Sequence, residues 1–343
     1  MFTRKALIWL SILSLVMVLI TMPRFDRNDI GIKKITTDGT GKLSDAEKYV
    51  AITNYFRGEA DQDELHPPFS YRPLVPFIAS LLPFKAMTSI NIINLVVMVI
   101  AIFILYKLLH YLGIDFSTNI IACGLFVFSF PTFYYTTIGF LDPGLIFLLT
   151  IGTFFILKNK WIQLLLVISF GVFVKETIII LPMLLTAYLY FSKRLLTKDG
   201  IILLVSITIF IIGFFVTRMI VPTNPDVGWV PSVEQLIFNI TRPRSYISFI
   251  LSFGIQGLLA LFIYKYKNSF WFDQKFNVTA TLITGVFISF ALFGFSMLSA
   301  YADGRFIWTS YPFTIPLAAM VIMEFRKNRK NKKQLIFIKN SSS

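Results

Sequence analysis

Ionisable side chains are sparse in this chain, and the types and spacing of a few could do chemistry. The stretch LSDAEKYVAITNYFRGE (residues 43–59) carries Asp45, Glu47 and Tyr49, and HPPFSYRPLVP carries His66, Tyr71 and Arg72. Further on come Asp142 in GFLDPG, Lys175 and Glu176 in VKET, Arg218, Arg242 and Arg244 in TRPRSY, and Asp303 and Arg305 in ADGR. A carboxylate can take a proton from a reacting group, and lysine or arginine can hold an anion, arginine with two parallel bonds. Ordinary helix-building accounts compete with this. Ser44 and Glu47 have the spacing of a capping box, and Asp45 at the first helical position complements the helix dipole. Asp142-Pro143 reads as an N-cap with proline at N1, and Lys175-Glu176 as a solvated turn. Asp45, Tyr49, Ile52 and Phe56 recur at i, i+4, i+7 and i+11, the face of an amphipathic helix lying on a membrane; Glu47 lies beside that face.

The elements that must position these groups are membrane helices. Of 343 residues, 56% are hydrophobic and 37 are Phe, and the mean hydropathy is +0.72, beyond what a soluble domain carries. A net charge of +14 raises nucleic acid as a partner, but no basic stripe with interleaved aromatics is present; the excess Lys and Arg fall in short loops and at the C-terminal end, so the basicity reads as topology. Cys123 is the single cysteine, which excludes an intrachain disulfide and a cysteine metal cluster.

Ala6 to Thr21, after Arg4 and Lys5, has no small-x-small site behind it and is expected to be an uncleaved anchor. Further apolar runs of spanning character centre on residues 90–112, 118–138, 143–157, 161–174, 177–191, 200–221, 247–264, 277–299 and 306–323, about ten spans in all. The expected fold is an all-α polytopic membrane protein with a large first extracytoplasmic loop, residues 23–89, containing juxtamembrane helices. A transmembrane domain would cover residues 1–325 and a basic cytoplasmic tail residues 326–343. Loop lysines and arginines put both termini in the cytoplasm. The loop from Pro23 to Ser89 then lies outside with 9 of the 18 acidic residues, and RPLVPFIASLLPF (72–84) is expected to be interfacial or re-entrant. Every group named in the first paragraph falls on that outer side. His66 and His110 fall on opposite sides.

The order of these signals resembles the C-type (GT-C) integral-membrane glycosyltransferases, a superfamily that includes protein mannosyltransferases and the aminoarabinose transferases of lipid A. The matching residues are Asp45 and Glu47 in SDAEKY, YRPLVPFIASLLP, Asp142 in LDPGLIFLL, Lys175-Glu176 in VKETIIILPMLL, and Arg305 in ADGRFIWTSYPFTIPLAA. The resemblance spans residues 1–325. It departs from the family in two ways: Ala46 separates the two acidic residues, and these 343 residues do not include the soluble C-terminal domain that many such enzymes carry. It implies transfer of a sugar from a polyprenyl-phosphate-linked donor to a glycan, lipid or protein acceptor at the outer face of a plasma (inner) membrane. Asp45 would be the base, with Glu47 the other catalytic candidate and, with Asp142, an orienting group. Arg72, Lys175 and Arg305 would hold the departing phosphate, and Tyr49, His66, Tyr71, Glu176, Arg242, Arg244 and Asp303 would complete the substrate site. Inverting transfer needs one base and a stabilised leaving group, so no metal and no other cofactor is demanded. DGTGKL at 38–43 lacks the third glycine of a nucleotide fingerprint, which suits a lipid-linked donor.

Three other classes remain at this stage. A flippase or transporter of lipid-linked sugars would place polar or discontinuous elements at midplane within internal repeats, and neither a repeat nor a mid-span charge is visible. A polysaccharide polymerase or ligase would depend on Arg242 and Arg244. A structural subunit would need none of these groups.

Overall fold

The computed structural model describes residues 2–25, 45–221, 231–266 and 276–341; Ser44, the DGTGKL segment and most of the 222–231 loop lie outside them. Among the described residues every regular element is helical. In chain order they are α1 (Arg4–Phe25), α2 (Asp45–Arg57), α3 (Leu74–Ser80), α4 (Ala86–Tyr111), α5 (Phe116–Val127), α6 (Phe130–Tyr135), α7 (Asp142–Leu157), α8 (Trp161–Val174), α9 (Ile180–Phe191), α10 (Lys198–Ile220), α11 (Val233–Thr241), α12 (Pro243–Leu261), α13 (Phe276–Ser299), α14 (Arg305–Trp308) and α15 (Tyr311–Ser341), with short 3-10 turns between some of them.

Among the described residues five helices, α1, α4, α10, α12 with its 3-10 extension, and α13, are long and apolar enough to cross a membrane; α5, α7, α8 and residues 176–191 are apolar but shorter. The long helices leave large apolar side chains outside, such as Leu7, Ile8, Leu15 and Leu19 on α1 and Leu204, Ile212 and Phe215 on α10, the surface that hydrocarbon solvates at no cost. The short helix α7, about 24 Å long at 1.5 Å per residue, is instead wrapped by α4, α8, α9 and α15. Small residues allow these close approaches: a Cβ at Gly152 of α7 would collide with the Leu181 side chain of α9.

Two expected spans are broken. The 118–138 run stops at Val127 because Ser129 caps a new helix, its hydroxyl accepting from the Thr132 amide at 3.4 Å, with Pro131 in that helix's first turn. The 306–323 run becomes α14 and then α15, which continues helically to Ser341 through the segment expected to be a tail. A third break lies inside α12, where Gly254 at φ 56° leaves the helical region.

The chain doubles back between two ends of the bundle. At one end, helices close with a residue in the left-handed region followed by a bond back to the carbonyl five residues earlier: Ile114 to Leu109 (3.1 Å), Lys160 to Phe155 (2.9 Å) and Arg194 to Leu189 (2.8 Å). At the other end lie α2, α3 and the loops that carry the acidic and basic groups. There Tyr49, Ile52, Leu65, Phe69, Val75 and Ile90 form an apolar cluster with Leu141, Val174 and Val221. Each such side chain contributes about 1.5–3 kcal/mol on burial, enough to seat α2 into the protein. The face of α2 expected to lie on a membrane is therefore inside the protein, with Tyr49 and Ile52 at most 2% exposed. The interfacial character falls to α3 and its exit, where Phe77, Ile78, Leu81 and Phe84 are 41–68% exposed.

Candidate functional site

Three ion pairs meet at this end. Arg72, which closes the 3-10 turn Phe69–Tyr71, forks onto Glu176: Nε donates to Oε2 at 2.9 Å and Nη2 to Oε1, while Nη1 donates to the Tyr49 hydroxyl at 2.6 Å. Lys175 Nζ donates to Asp142 Oδ1 at 2.7 Å. Arg305 Nη1 holds Asp45 Oδ2 at 2.5 Å, with its guanidinium between the rings of Phe140 (4.8 Å) and Phe306 (5.1 Å). The pairs share one field, since Asp142 also feels Arg305 and Arg72. Beside them the Tyr135 hydroxyl donates to Asp303 Oδ1, which also accepts from the Arg305 amide at 3.4 Å.

Each group is placed by a local cause. The turn before α7 carries Gly139 at φ 79°, where a Cβ would meet Met87 and Ala46 at 2.5–3.1 Å. Two asparagines of α4 hold that turn: Asn94 Nδ2 donates to the Phe140 carbonyl (2.7 Å) and Asn91 Oδ1 accepts from the Gly139 amide (2.9 Å). Asp142 is itself the first residue of α7 while Leu141 occupies the cap position without a side-chain bond; its carboxylate serves Lys175 and not the helix end, correcting the N-cap expectation. Lys175 ends α8 with extended φ/ψ, which turns its side chain and that of Glu176 inward in place of a solvated turn. Arg57 fixes the α3 exit by donating to the carbonyls of Ala79 (3.1 Å), Leu82 (3.0 Å) and Phe84 (2.8 Å).

The three carboxylates differ in access. The Asp142 side chain is 5% exposed, Asp45 19% and Glu176 34%. Asp142 with Lys175 is a sealed pair, whereas Asp45 and Glu176 each keep an open side. Burial drives the Tyr49 phenol upward, opposed by Arg72 and reinforced by Asp45, so it stays protonated. Burial opposes charge on Arg72, but Glu176 and Tyr49 outweigh it and hold the guanidinium well above its usual value. Arg305 Nε is buried with no hydrogen-bond partner among the described residues, as is Asn91 Nδ2.

Beside this network an open groove of about 400 Å³ is walled by Phe130, Tyr134, Tyr135, Ile247 and Leu251, with Arg244 and Asp303 as its charged members. Arg218 lies over the Tyr71 ring at 4.5 Å, and its Nη1 donates to the Phe214 carbonyl at 2.7 Å.

Of the residues singled out from sequence, Asp45, Tyr49, Arg72, Asp142, Lys175, Glu176, Asp303 and Arg305 are brought together, Tyr71 joins through Arg218, and Arg244 reaches the groove. Glu47 is half-buried on α2, two residues beyond Asp45. His66 contributes its carbonyl, accepting from the Phe69 and Ser70 amides. Arg242 stands apart, its guanidinium on the rings of Tyr301 (5.1 Å) and Phe238 (5.5 Å). Asn91, Asn94, Tyr135 and Arg57 escaped sequence reasoning; the two asparagines three apart in an otherwise apolar helix were the available signal.

Fold and site define an all-helical chain of multi-pass membrane character with a buried, charge-paired centre at one end. Comparison with family models, with curated proteins and with solved structures gave no match. The site is read from its own chemistry.

Proposed function

We propose that the protein is an integral-membrane glycosyltransferase of the C-type kind, moving a sugar from a polyprenyl-phosphate-linked donor to an acceptor hydroxyl at the extracytoplasmic face. The observation that carries the reading is the pairing of Asp45 with Arg305: a partly open carboxylate held by a cation with a spare donor, next to an apolar groove. Asp45 takes the proton of the acceptor hydroxyl as its oxygen attacks the anomeric carbon. The bond from that carbon to the phosphate oxygen breaks, and the electron pair leaves on polyprenyl phosphate. Arg305 Nε and Arg244 meet the growing charge on the phosphate, where preorganised cations act most strongly. Glu176 and Tyr49 hold Arg72 rigid beside them, Asp142 and Lys175 set the field, and the prenyl chain lies in the groove walled by Tyr134, Ile247 and Leu251. Buried pairs of this kind cost folding energy in desolvation, which favours a functional reason for them.

Lys5, Lys107, Lys158, Lys160, Arg194 and Lys198 at the opposite end support a cytoplasmic placement of that end and of both termini under the positive-inside rule. The test is transfer of radiolabelled sugar from a panel of polyprenyl-phosphate donors by purified protein in nanodiscs. Labelled product from at least one donor is expected, and a panel left wholly unconsumed overturns the reading.

The break at Gly254 favours one second reading, transport, because discontinuous helices line midplane sites in transporters. Movement of an intact labelled donor across sealed vesicles without acceptor would select it.

A further inference from the structure

The end of the bundle away from the charged network carries its own cavity, of about 550 Å³, walled by Phe2, Tyr106, Lys107, His110, Tyr111 and Lys158. It is a built feature. Phe2 packs edge-on against Phe103 (5.7 Å) and tilted against Tyr106 (5.8 Å), and the Tyr106 ring stacks parallel to His110. The Tyr111 hydroxyl donates to the Leu157 carbonyl at 2.9 Å, joining the end of α4 to the end of α7. Lys107 Nζ lies 4.8 Å from the Phe2 ring, and Lys158 Nζ lies 5.0 Å from Phe154 and 5.2 Å from Tyr111.

The charge of this pocket is uncompensated. No carboxylate lines it, and among the described residues neither Lys107 nor Lys158 is in an ion pair. Of the acidic groups of this end, Asp115 is engaged by Thr118 and Arg326 and Asp199 by Arg194 and Trp161, and Glu324 is not among the residues that wall the pocket. Two ammonium groups and an imidazole facing one space call for a phosphate. The sequence supplies the rest of the ligand's shape. Val96, Ile100, Phe103 and Lys107 recur at i, i+4, i+7 and i+11 on α4, so an apolar stripe runs from the pocket down the helix, with Val96 52% and Ile100 42% exposed. Tyrosines at this level match the headgroup zone of a bilayer.

We propose that this pocket binds the phosphate of an anionic phospholipid, its acyl chain lying along the Val96–Ile100–Phe103 stripe. The inference rests on membrane embedding alone and is independent of glycosyl transfer. Basic pockets between helices on the cytoplasmic side are suited to such headgroups, each lysine adding about 1 kcal/mol near the surface.

The test is native mass spectrometry of the full chain released from phosphatidylcholine nanodiscs containing a graded fraction of phosphatidylglycerol. Wild type is expected to retain one phosphatidylglycerol. Lys107→Ser/Lys158→Ser should weaken retention roughly tenfold or more, and the charge-matched Lys160→Ser/Lys327→Ser, outside the pocket, should not. Equal loss in both doubles, or no retained phosphatidylglycerol in wild type, overturns the proposal. Displacement of the lipid by millimolar inorganic phosphate overturns the lipid assignment in favour of free phosphate; persistence of the lipid supports it.

Discussion

The two ends of the bundle use charge in opposite ways. At the site end every cation of the three pairs is buried and the pairs join distant parts of the chain: Arg72 with Glu176 across 104 residues, Lys175 with Asp142 across 33, and Arg305 with Asp45 from opposite halves. At the other end they are local or exposed. Arg194 and Asp199 are five residues apart with side chains 33% and 24% exposed, and Arg326 and Asp115 are 42% and 49% exposed. Exposed local pairs contribute about 0–1 kcal/mol. Sealed pairs add little net stability, because desolvation rivals their attraction. The difference teaches that the site end keeps its charges for something other than holding helices together.

The largest effect that would break this comparison is loss of half a sealed pair. Asp142→Leu leaves Lys175 buried and alone, and should cost about 3–5 kcal/mol, read as a lowered unfolding temperature in detergent. Adding Lys175→Met should recover most of that stability while transfer stays absent. A double variant that is both stable and active would make the pair dispensable.

Arg72→Lys comes next. Lysine keeps the charge but not the fork that holds Glu176 and Tyr49 at once, and an interaction of about 1.5–3 kcal/mol is at stake. A tenfold or larger fall in turnover with near-normal folding is expected, measured as initial rates of donor consumption.

At the opposite end Arg194→Ala should shift stability by no more than about 1 kcal/mol and leave turnover unchanged. Asp115 sharpens the contrast further. Burial pushes its carboxyl up, but bonds from the Thr118 hydroxyl and amide, with Arg326 nearby, hold it below the ordinary range. A carboxyl depressed by folding contributes stability that is complete above the unfolded value near 3.9 and is lost as pH falls through the folded value. Asp115→Ala, which also removes the cap of α5, should cost about 1 kcal/mol at neutral pH and less as the medium becomes strongly acidic, read from unfolding temperatures across that range.

Much of the site was legible in the sequence because charge is costly in so apolar a chain. Asp45, Arg72, Asp142, Lys175, Glu176 and Arg305 stand out from their surroundings, and alternation of apolar runs placed them at one end. Their pairing was not legible: nothing local relates Arg72 to Glu176, and the Asp142-Pro143 spacing pointed to a cap that the side chain does not make. Asn91, Asn94 and Tyr135 act through backbone and carboxyl contacts that only the fold creates. The helix breaks were hidden for a different reason. Around Ser129 and Gly254 the apolar run continues, so hydropathy records a span where capping and a left-handed glycine interrupt the helix.

The most direct measurement of the central claim, that the open carboxylate at the charged end removes the acceptor's proton, is release of polyprenyl phosphate in nanodiscs by wild type and Asp45→Asn, followed by phosphorus NMR. Asparagine keeps the size and the capping ability of aspartate while removing the base. With acceptor present, wild type should convert the donor's phosphodiester signal to phosphomonoester, and Asp45→Asn should leave it unchanged while still unfolding cooperatively above the assay temperature. Turnover by Asp45→Asn at the wild-type rate would contradict the account.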